Sequence, residues 1–144
     1  MEPIDPDPIS AAVDVLGDRW TLLVLRDIAL SDRRHFRALL TGSAEGIASN
    51  ILADRLKRLL DAGLLARGGT VVRGQRARFH LTEAGIQTVP ILLALGRWGD
   101  QWRPGPSAHA AQPEPDDPGG ERRMAQLRIR HREDAGGASD TLGG

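Results

Sequence analysis

The chain of 144 residues contains no cysteine and a single lysine, Lys57. The absence of cysteine excludes disulfides, thiolate zinc sites and cysteine-based redox switches. No stretch approaches the roughly 18 consecutive apolar residues that a membrane span requires. The acidic start MEPIDPDPIS lacks the basic and apolar parts of an export signal. We therefore expect a cytoplasmic protein with no membrane association.

The sequence also lacks the patterns that accompany catalysis or cofactor binding. It has no glycine-rich phosphate loop and no cluster of histidine with carboxylates. The four histidines show no metal-ligand spacing, so we predict surface or partly buried roles for His35, His80, His109 and His131. We predict no catalytic residue, no metal site and no cofactor, and an enzyme is the least favoured class.

Charge is distributed unevenly along the chain, although its formal sum is zero. Residues 19–81 carry twelve Arg or Lys against five acids, a local excess of +7, whereas residues 1–18 carry five acids and no base. A basic segment inside a neutral protein is typical of a surface that binds a polyanion. Arginines that merely solvate a surface would give the same count, so charge alone leaves both interpretations open.

Periodicity and composition predict three parts: an arm (1–8), one folded domain (9–103) and a tail (104–144). In the domain, apolar spacing and capping residues predict helices over 8–16, 18–29, 35–40 and 48–62. Strands over 64–72 and 76–81 form a hairpin, and a last helix begins at Thr82 and is interrupted at Pro90. Five prolines and seven glycines among the 41 tail residues predict disorder there.

The helix over 48–62 and the hairpin after it are the most informative part of the chain. Its leucines fall at helical spacing and form a buried stripe, namely Leu52, Leu56, Leu59 and Leu60. The opposite side carries Asn50, Ala53, Asp54 and Lys57, with Gly63 stopping the helix. A helix supported in this way can offer its polar face to a DNA major groove, while the hairpin reaches a neighbouring minor groove.

Three segments in this order resemble the HxlR family of winged helix-turn-helix transcriptional regulators. GDRWTLLVLRDI (17–28) is similar to the start of the family's second helix, and GIASNILADRLKRLLDAGLL (46–65) to its recognition helix. FHLTEAG (79–85) and PILLALGRWG (90–99) are similar to its hairpin exit and final helix. The resemblance covers residues 9–102 and implies a mainly α fold with a small β-hairpin that dimerises through its first and last helices.

The chain departs from the family in two places. Many members carry a cysteine just before the first helix, used in some as a redox sensor, where this chain has Ile9 and Ser10. Redox sensing by that route is therefore excluded. The family often has a serine at the start of the recognition helix, but this chain has Ala48 followed by Ser49, which leaves the capping residue open.

Candidate base contacts lie at the start of the recognition helix. The Asn50 carboxamide can bond adenine N6 and N7 together, and Ala53 can pack against a thymine methyl, with Ser49 beside them. Capping of the helix end is the alternative role of Asn50. Lys57, two turns further along this face, suits a phosphate. Asp54 is expected to pair with Arg58 at i+4.

Candidate backbone contacts come from arginines around these elements. Such side chains either clamp phosphates or cover the helices with their aliphatic stems, and both interpretations hold for Arg33, Arg34, Arg37, Arg55 and Arg58. At the hairpin tip Arg73 and Arg76 flank a glycine and can enter a narrow minor groove. In the tail ERRMAQLRIRHR (121–132) is either an extra DNA contact or a solvated segment.

The last helix carries a packing seam, since Ile91, Leu95, Trp98 and Trp102 recur at spacings of four, three and four. This seam is either intramolecular core or a dimer contact, which the resemblance extends to Ile9 and Val13. Tryptophans near the hairpin base are either core or the surroundings of an unidentified small-molecule effector, namely Trp20, Trp98 and Trp102.

We predict a DNA-binding transcriptional regulator, a repressor that acts as a homodimer on an inverted-repeat operator in double-stranded DNA. The alternative is a winged-helix adaptor for protein–protein interaction without specific DNA binding.

Overall fold

The computed structural model describes residues 7–68, 78–106 and 116–136. Within these ranges the chain is mainly helical with one two-stranded hairpin. The elements in order are α1 (Pro8–Leu16), α2 (Arg19–Ala29), α3 (Phe36–Thr41), α4 (Ser49–Asp61), β1 (Leu65–Gly68), β2 (Arg78–Leu81), α5 (Glu83–Ile86), α6 (Val89–Trp102) and α7 (Glu121–Gly136). The predicted fold class, a winged helix-turn-helix arrangement, is confirmed.

Capping aspartates start the first two helices. The Asp7 carboxylate accepts the N–H groups of Ile9 (2.8 Å) and Ser10 (3.1 Å), in a helix with proline at its first position. Asp18 does the same for α2 by accepting the Thr21 N–H at 3.0 Å. Both helix starts follow from the local sequence alone.

The helix-turn-helix unit consists of α3, a turn and α4. Helix α4 ends at Asp61, and Gly63 just after its C-cap residue adopts a φ of +79°, which residues with a Cβ avoid. Its N–H donates to the Leu60 carbonyl (3.1 Å), and the next N–H, of Leu64, donates to the Leu59 carbonyl (3.0 Å). This pair of bonds is a Schellman motif, so the predicted glycine stop is confirmed.

The core lies where α4 packs against α2 and against the base of the hairpin. Leu52, Leu56 and Leu59 of α4 are buried, and they meet Leu25 and Ile28 of α2. Burial of a whole leucine stripe removes each side chain from water, worth roughly 1.5–3 kcal/mol apiece. This contact determines which face of α4 points outward.

Strands β1 and β2 pair in antiparallel register, with Leu65 opposite Leu81 and Gly68 opposite Arg78. The predicted strands were longer, and their inner parts, residues 69–77 with Arg73 and Arg76, lie outside the described residues. Buried Phe79 and Leu81 attach β2 to the core. The hairpin base is thus part of the core.

The end of the domain differs from the predicted single helix. Thr82 caps the short helix α5, its hydroxyl accepting the Gly85 N–H at 3.2 Å. A separate helix, α6, then begins at Val89 with Pro90 in its first turn. The prediction of a helix interrupted by Pro90 was wrong in this respect, because a proline in the first turn lacks only an N–H that would have no helical acceptor there.

The prediction of a disordered tail was wrong for residues 116–136, which include helix α7. Met124, Leu127 and His131 recur at spacings of three and four, and all three are buried against the domain. His131 is only 2% exposed, more buried than predicted. The high proline and glycine content of the tail masked this apolar stripe, whose burial outweighs the cost of ordering the helix.

Polar contacts add to the docking of α7. The Arg128 guanidinium pairs with the Glu83 carboxylate of α5 at 2.7 Å, and the Arg97 guanidinium donates to the Pro118 carbonyl at 2.7 Å. Gly120 precedes α7 with a φ of +75°, where a Cβ would lie 2.7 Å from side-chain atoms of Val89 and Leu93. The chain therefore approaches α6 as closely as glycine allows.

The Glu83–Arg128 pair predicts acid-dependent docking. The bond from Arg128 and a second one from Gln87 lower the pKa of Glu83 from 4.5 to about 2. Because the pKa is lower in the folded state, the pair stabilises the fold above about pH 4.5, and this contribution is lost as the pH falls towards about 2. The stability difference between the wild type and Glu83→Gln in urea unfolding should therefore shrink over that window.

The control for this measurement is Gln126→Ala, an exposed change on α7 that leaves every carboxylate in place. Its stability difference from the wild type should not vary with pH. A pH-independent difference for Glu83→Gln would contradict the assigned pairing.

Candidate nucleic-acid interface

One face of α4 is exposed along its whole length. Ser49, Asn50, Ala53 and Lys57 are all exposed, and the Lys57 side chain is 79% accessible. The leucines on the other side are buried, so the polar face cannot turn inward without exposing the core. The structure therefore brings the four candidate residues of this helix together on one surface.

The start of α4 is left open by the side chains around it. Ala48 is the N-cap residue, and no side chain of the described residues caps the helix. Ser49 is the first helical residue and Asn50 the second, so neither is engaged as a cap. Backbone N–H groups in the first turn have no helical acceptor. The carboxamide of Asn50 and these donors thus face the same solvent.

Two arginines offset the negative charge on this helix. The Asp54 carboxylate lies 2.9 Å from Arg58 Nε, as predicted for the i+4 pair, and 2.6 Å from Arg55 Nη1. A carboxylate held by two guanidiniums repels a nearby phosphate much less than a free one. Arg58 remains 63% exposed and keeps contact with solvent.

Arg55 is mainly an internal contact, which corrects its prediction as a DNA contact. Its side chain is only 16% exposed, with Nε 2.8 Å from Asp18 Oδ1 and Nη2 3.2 Å from Asp18 Oδ2. This forked pair joins α4 to the capping residue of α2. The bond from Arg55 holds the pKa of Asp18 well below its usual range and raises the pKa of the arginine.

The arginines just before and within α3 occupy three different environments. Arg34 is buried (4% exposed), and its Nε donates to the Phe79 carbonyl at 2.9 Å, so the prediction that it contacts DNA is corrected too. Arg33 is half-buried, with Nη1 3.5 Å from buried Asp27, and Arg37 is exposed. Arg33 and Arg37 therefore still have solvent access beside the helix-turn-helix unit.

Sequence reasoning missed two carboxylates that organise this region. Besides Asp18, Glu45 in the turn before α4 forms a forked pair with Arg26 of α2, at 2.8 and 3.0 Å. The bonds lower the pKa of Glu45 and raise that of Arg26. Neither pairing has helical spacing, 37 residues separating Asp18 from Arg55 and 19 separating Arg26 from Glu45. No local pattern could have identified them.

A second surface is apolar and is formed by α1 and α6. None of the residues of α1 is buried. The six residues predicted for a dimer contact are all exposed, from 42% to 76%: Ile9, Val13, Ile91, Leu95, Trp98 and Trp102. Among the described residues the seam on α6 is therefore exposed and not part of the core. Trp20 instead packs half-buried against the core.

Two kinds of site are absent from the described ranges. No helix there is long and apolar enough to cross a bilayer. Nor does that part of the chain hold a group of three histidine or carboxylate residues suited to a metal ion.

A helix-turn-helix unit followed by a two-stranded hairpin defines a winged helix-turn-helix protein. The model of one such family, described as HxlR-like helix-turn-helix, matches residues 15–106. The chain therefore belongs to the HxlR-like helix-turn-helix family, whose relatives are named as transcriptional regulators. Helix α7 lies beyond the matched residues.

Known proteins similar to this chain are named as HTH-type transcriptional regulators. The uncharacterised HTH-type transcriptional regulator Rv3095 of Mycobacterium tuberculosis is 34% identical over 100 residues, covering 69% of this chain and 61% of the relative. The uncharacterised HTH-type regulator sll1512 of Synechocystis is 30% identical over 95 residues, covering 66% and 69%. The chain thus spans less than two thirds of its mycobacterial relative.

Solved structures agree with this fold. The reduced form of the transcriptional regulator YodB from B. subtilis matches with a TM-score of 0.57 and 25% identity, covering 71% of this chain and 99% of YodB. PA1607, named as a candidate transcription factor, matches with a TM-score of 0.61 and 31% identity, covering 69% and 67%.

The Arg55–Asp18 contact generates a stability prediction. Replacing Arg55 by Gln removes a partly buried forked pair and should lower the free energy of unfolding by about 1 kcal/mol. Arg58→Gln, which breaks the exposed pair on the same helix, should cost only about 0.4 kcal/mol. Urea unfolding of both variants measures the difference. Equal losses would show that the contact between the helices adds nothing beyond a surface pair.

Proposed function

We propose that the protein is a sequence-specific DNA-binding repressor that acts as a homodimer on an inverted repeat. The observation that carries the proposal is the exposed polar face of α4, held outward by a buried leucine stripe. An α-helix is narrow enough to enter the major groove of B-DNA, and α4 offers 13 residues for this contact.

Base reading is assigned to the first turns of α4. The Asn50 amide N–H can donate to N7 of an adenine while the Asn50 carbonyl oxygen accepts from its N6 amino group. Together these bonds form a bidentate contact. Ala53, one turn further, has a methyl group that can pack on thymine. Ser49 and the open N–H groups beside it suit a phosphate or a base edge.

Position on the DNA would come from charged side chains around this face. Lys57 is exposed and bound only loosely by Asp61 at 3.9 Å, so a phosphate can replace that partner. Arg33, Arg37 and Arg58 retain solvent access on neighbouring surfaces. For the minor groove the proposal depends on Arg73 and Arg76, whose assignment comes from the sequence.

The homodimer is proposed from the exposed apolar surface. A helix of nine residues is too short to be stable alone in water, and within the described chain only Leu16 at the end of α1 packs, partly buried, against the core. The seam on α6 adds two exposed tryptophans, Trp98 and Trp102, of a type enriched at interface centres. A twofold pair would cover both helices with the same surface of a second copy.

Such a dimer would present two α4 helices to one side of the DNA. The preferred operator is then an inverted repeat whose half-site centres are one helical turn apart, about 10 base pairs, or a multiple of it. Occupation of a promoter by this dimer would block access for polymerase, which makes repression the simplest outcome. An unidentified small-molecule effector bound near the tryptophans could change the spacing of the two helices.

The DNA-binding proposal is tested by two variants of α4. With fragments that the purified protein selects from genomic DNA, Asn50→Ala should cost about 1–3 kcal/mol on the preferred site and much less on other sequences. Lys57→Gln should weaken all sequences alike and reduce the slope of log K against log salt by about 0.9. Equilibrium binding over a range of salt measures both effects.

Arg55→Gln is the matched control for the loss of one positive charge: its guanidinium already pairs with Asp18 and Asp54, so this variant should change the salt slope by less than Lys57→Gln does. An affinity that does not depend on salt, or an absence of any selected sequence, would reject the proposal.

The dimer is tested by a charge on the seam. Trp98→Glu should weaken self-association by about 2 kcal/mol or more, because a carboxylate replaces a large apolar group at the contact. Light scattering during size exclusion should then give the monomer mass of 15.5 kDa at concentrations where the wild type is dimeric. Ile129→Glu, at an equally exposed apolar residue of α7, is the control. Identical masses for the wild type and Trp98→Glu would contradict the assigned interface.

A further inference from the structure

The outer edge of β2, which faces away from β1, is closed by residues from two other parts of the chain. The Phe79 N–H donates to the Arg34 carbonyl at 2.8 Å, and Arg34 Nε donates to the Phe79 carbonyl at 2.9 Å. Two residues along, the Leu81 N–H donates to Nδ1 of His131 at 2.7 Å. An open strand edge would leave these backbone groups unpaired. The contacts therefore determine how firmly the strand is held.

The hydrogen bond from Leu81 to His131 is buried and determines which ring nitrogen carries the proton. His131 is 2% exposed, in a region that also holds Leu81 at 3%. An imidazole nitrogen accepts a hydrogen bond only when it carries no proton, so the ring is neutral with its proton on Nε2. A buried N–H that loses its acceptor costs more than an exposed one, because water does not replace the partner.

Contacts elsewhere on α7 fix where His131 lies. Leu127 and Met124, one and two turns before it, belong to the same core as α2 and α4. The Arg128–Glu83 pair ties the middle of α7 to α5. Gly120 brings its start against α6. Helix α7 thus reaches β2 with its orientation already determined.

We infer that His131 is a positioning residue for the hairpin, and that α7 serves to deliver it to the edge of β2. The inference deepens the proposed function and rests on it, because a hairpin held at its base can reach a minor groove at lower entropic cost. The family match ends at residue 106, so this support comes from outside the part of the chain that defines the family.

The test compares two amide replacements in the full chain. His131→Asn places an acceptor near the position of Nδ1, whereas His131→Gln moves it towards the position of Nε2. The two variants have the same functional group and differ in where the acceptor lies. Gln126→Ala, an exposed change on α7, is the control.

Amide exchange at Leu81 and binding to the DNA selected by the wild type are measured together. For His131→Gln we expect Leu81 exchange to rise about tenfold or more, the factor that corresponds to one unpaired buried donor. DNA affinity should fall by a similar factor, with weaker minor-groove protection from hydroxyl radicals. His131→Asn should stay within about threefold of the wild type on both measures, and Gln126→Ala should match it.

A purely structural role would give another pattern. Both amide variants would then lower the global stability in urea alike, and DNA affinity would not follow the exchange of Leu81. That pattern would overturn the inference, as would unchanged exchange in His131→Gln or faster exchange with unchanged DNA binding. A wild type that selects no DNA would instead reject the proposed function, and the exchange data would still show whether His131 holds the strand.

Discussion

Burial of the leucine stripe of α4 against α2 is the contact on which the rest of the molecule depends. Because an α-helix makes one turn every 3.6 residues, burying Leu52, Leu56 and Leu59 determines which residues point outward. The exposed row that includes Asn50 and Lys57 is the consequence of that packing. The Arg55–Asp18 pair then joins the two helices at the edge of this packing contact. Arg55 therefore holds α4 against α2 and does not serve DNA recognition.

The apolar side chains of the other helices lie in two different environments. Helix α7 covers its stripe within the chain, where Met124 and Leu127 join the core. Helices α1 and α6 each leave a row of apolar side chains in solvent, and Trp98 and Trp102 of α6 are more than half exposed. The same hydrophobic driving force acts on both, and in the proposed assembly a second copy covers what the chain itself leaves open.

Local physical chemistry made much of the fold predictable. Asp7, Asp18 and Gly63 act on backbone groups within a few residues, so each begins or ends its helix through local contacts. Errors occurred where distant segments meet. The docking of α7 depends on a stripe of only three residues, a weak local signal in a segment rich in proline and glycine. The burial of Arg34 depends on a strand 45 residues later and has no local signature.

For this protein the sequence by itself determined the first four helices, the hairpin, the family and the set of polar residues opposite the leucine stripe. All of these depend on periodicity, capping and motif order, which act over short stretches of chain. Tertiary structure alone decided which arginines are available to a polyanion, that the seam on α6 lies outside the core, and that His131 of the tail closes the edge of β2. Those outcomes depend on ion pairs and burial between segments far apart in the chain, which no local pattern encodes.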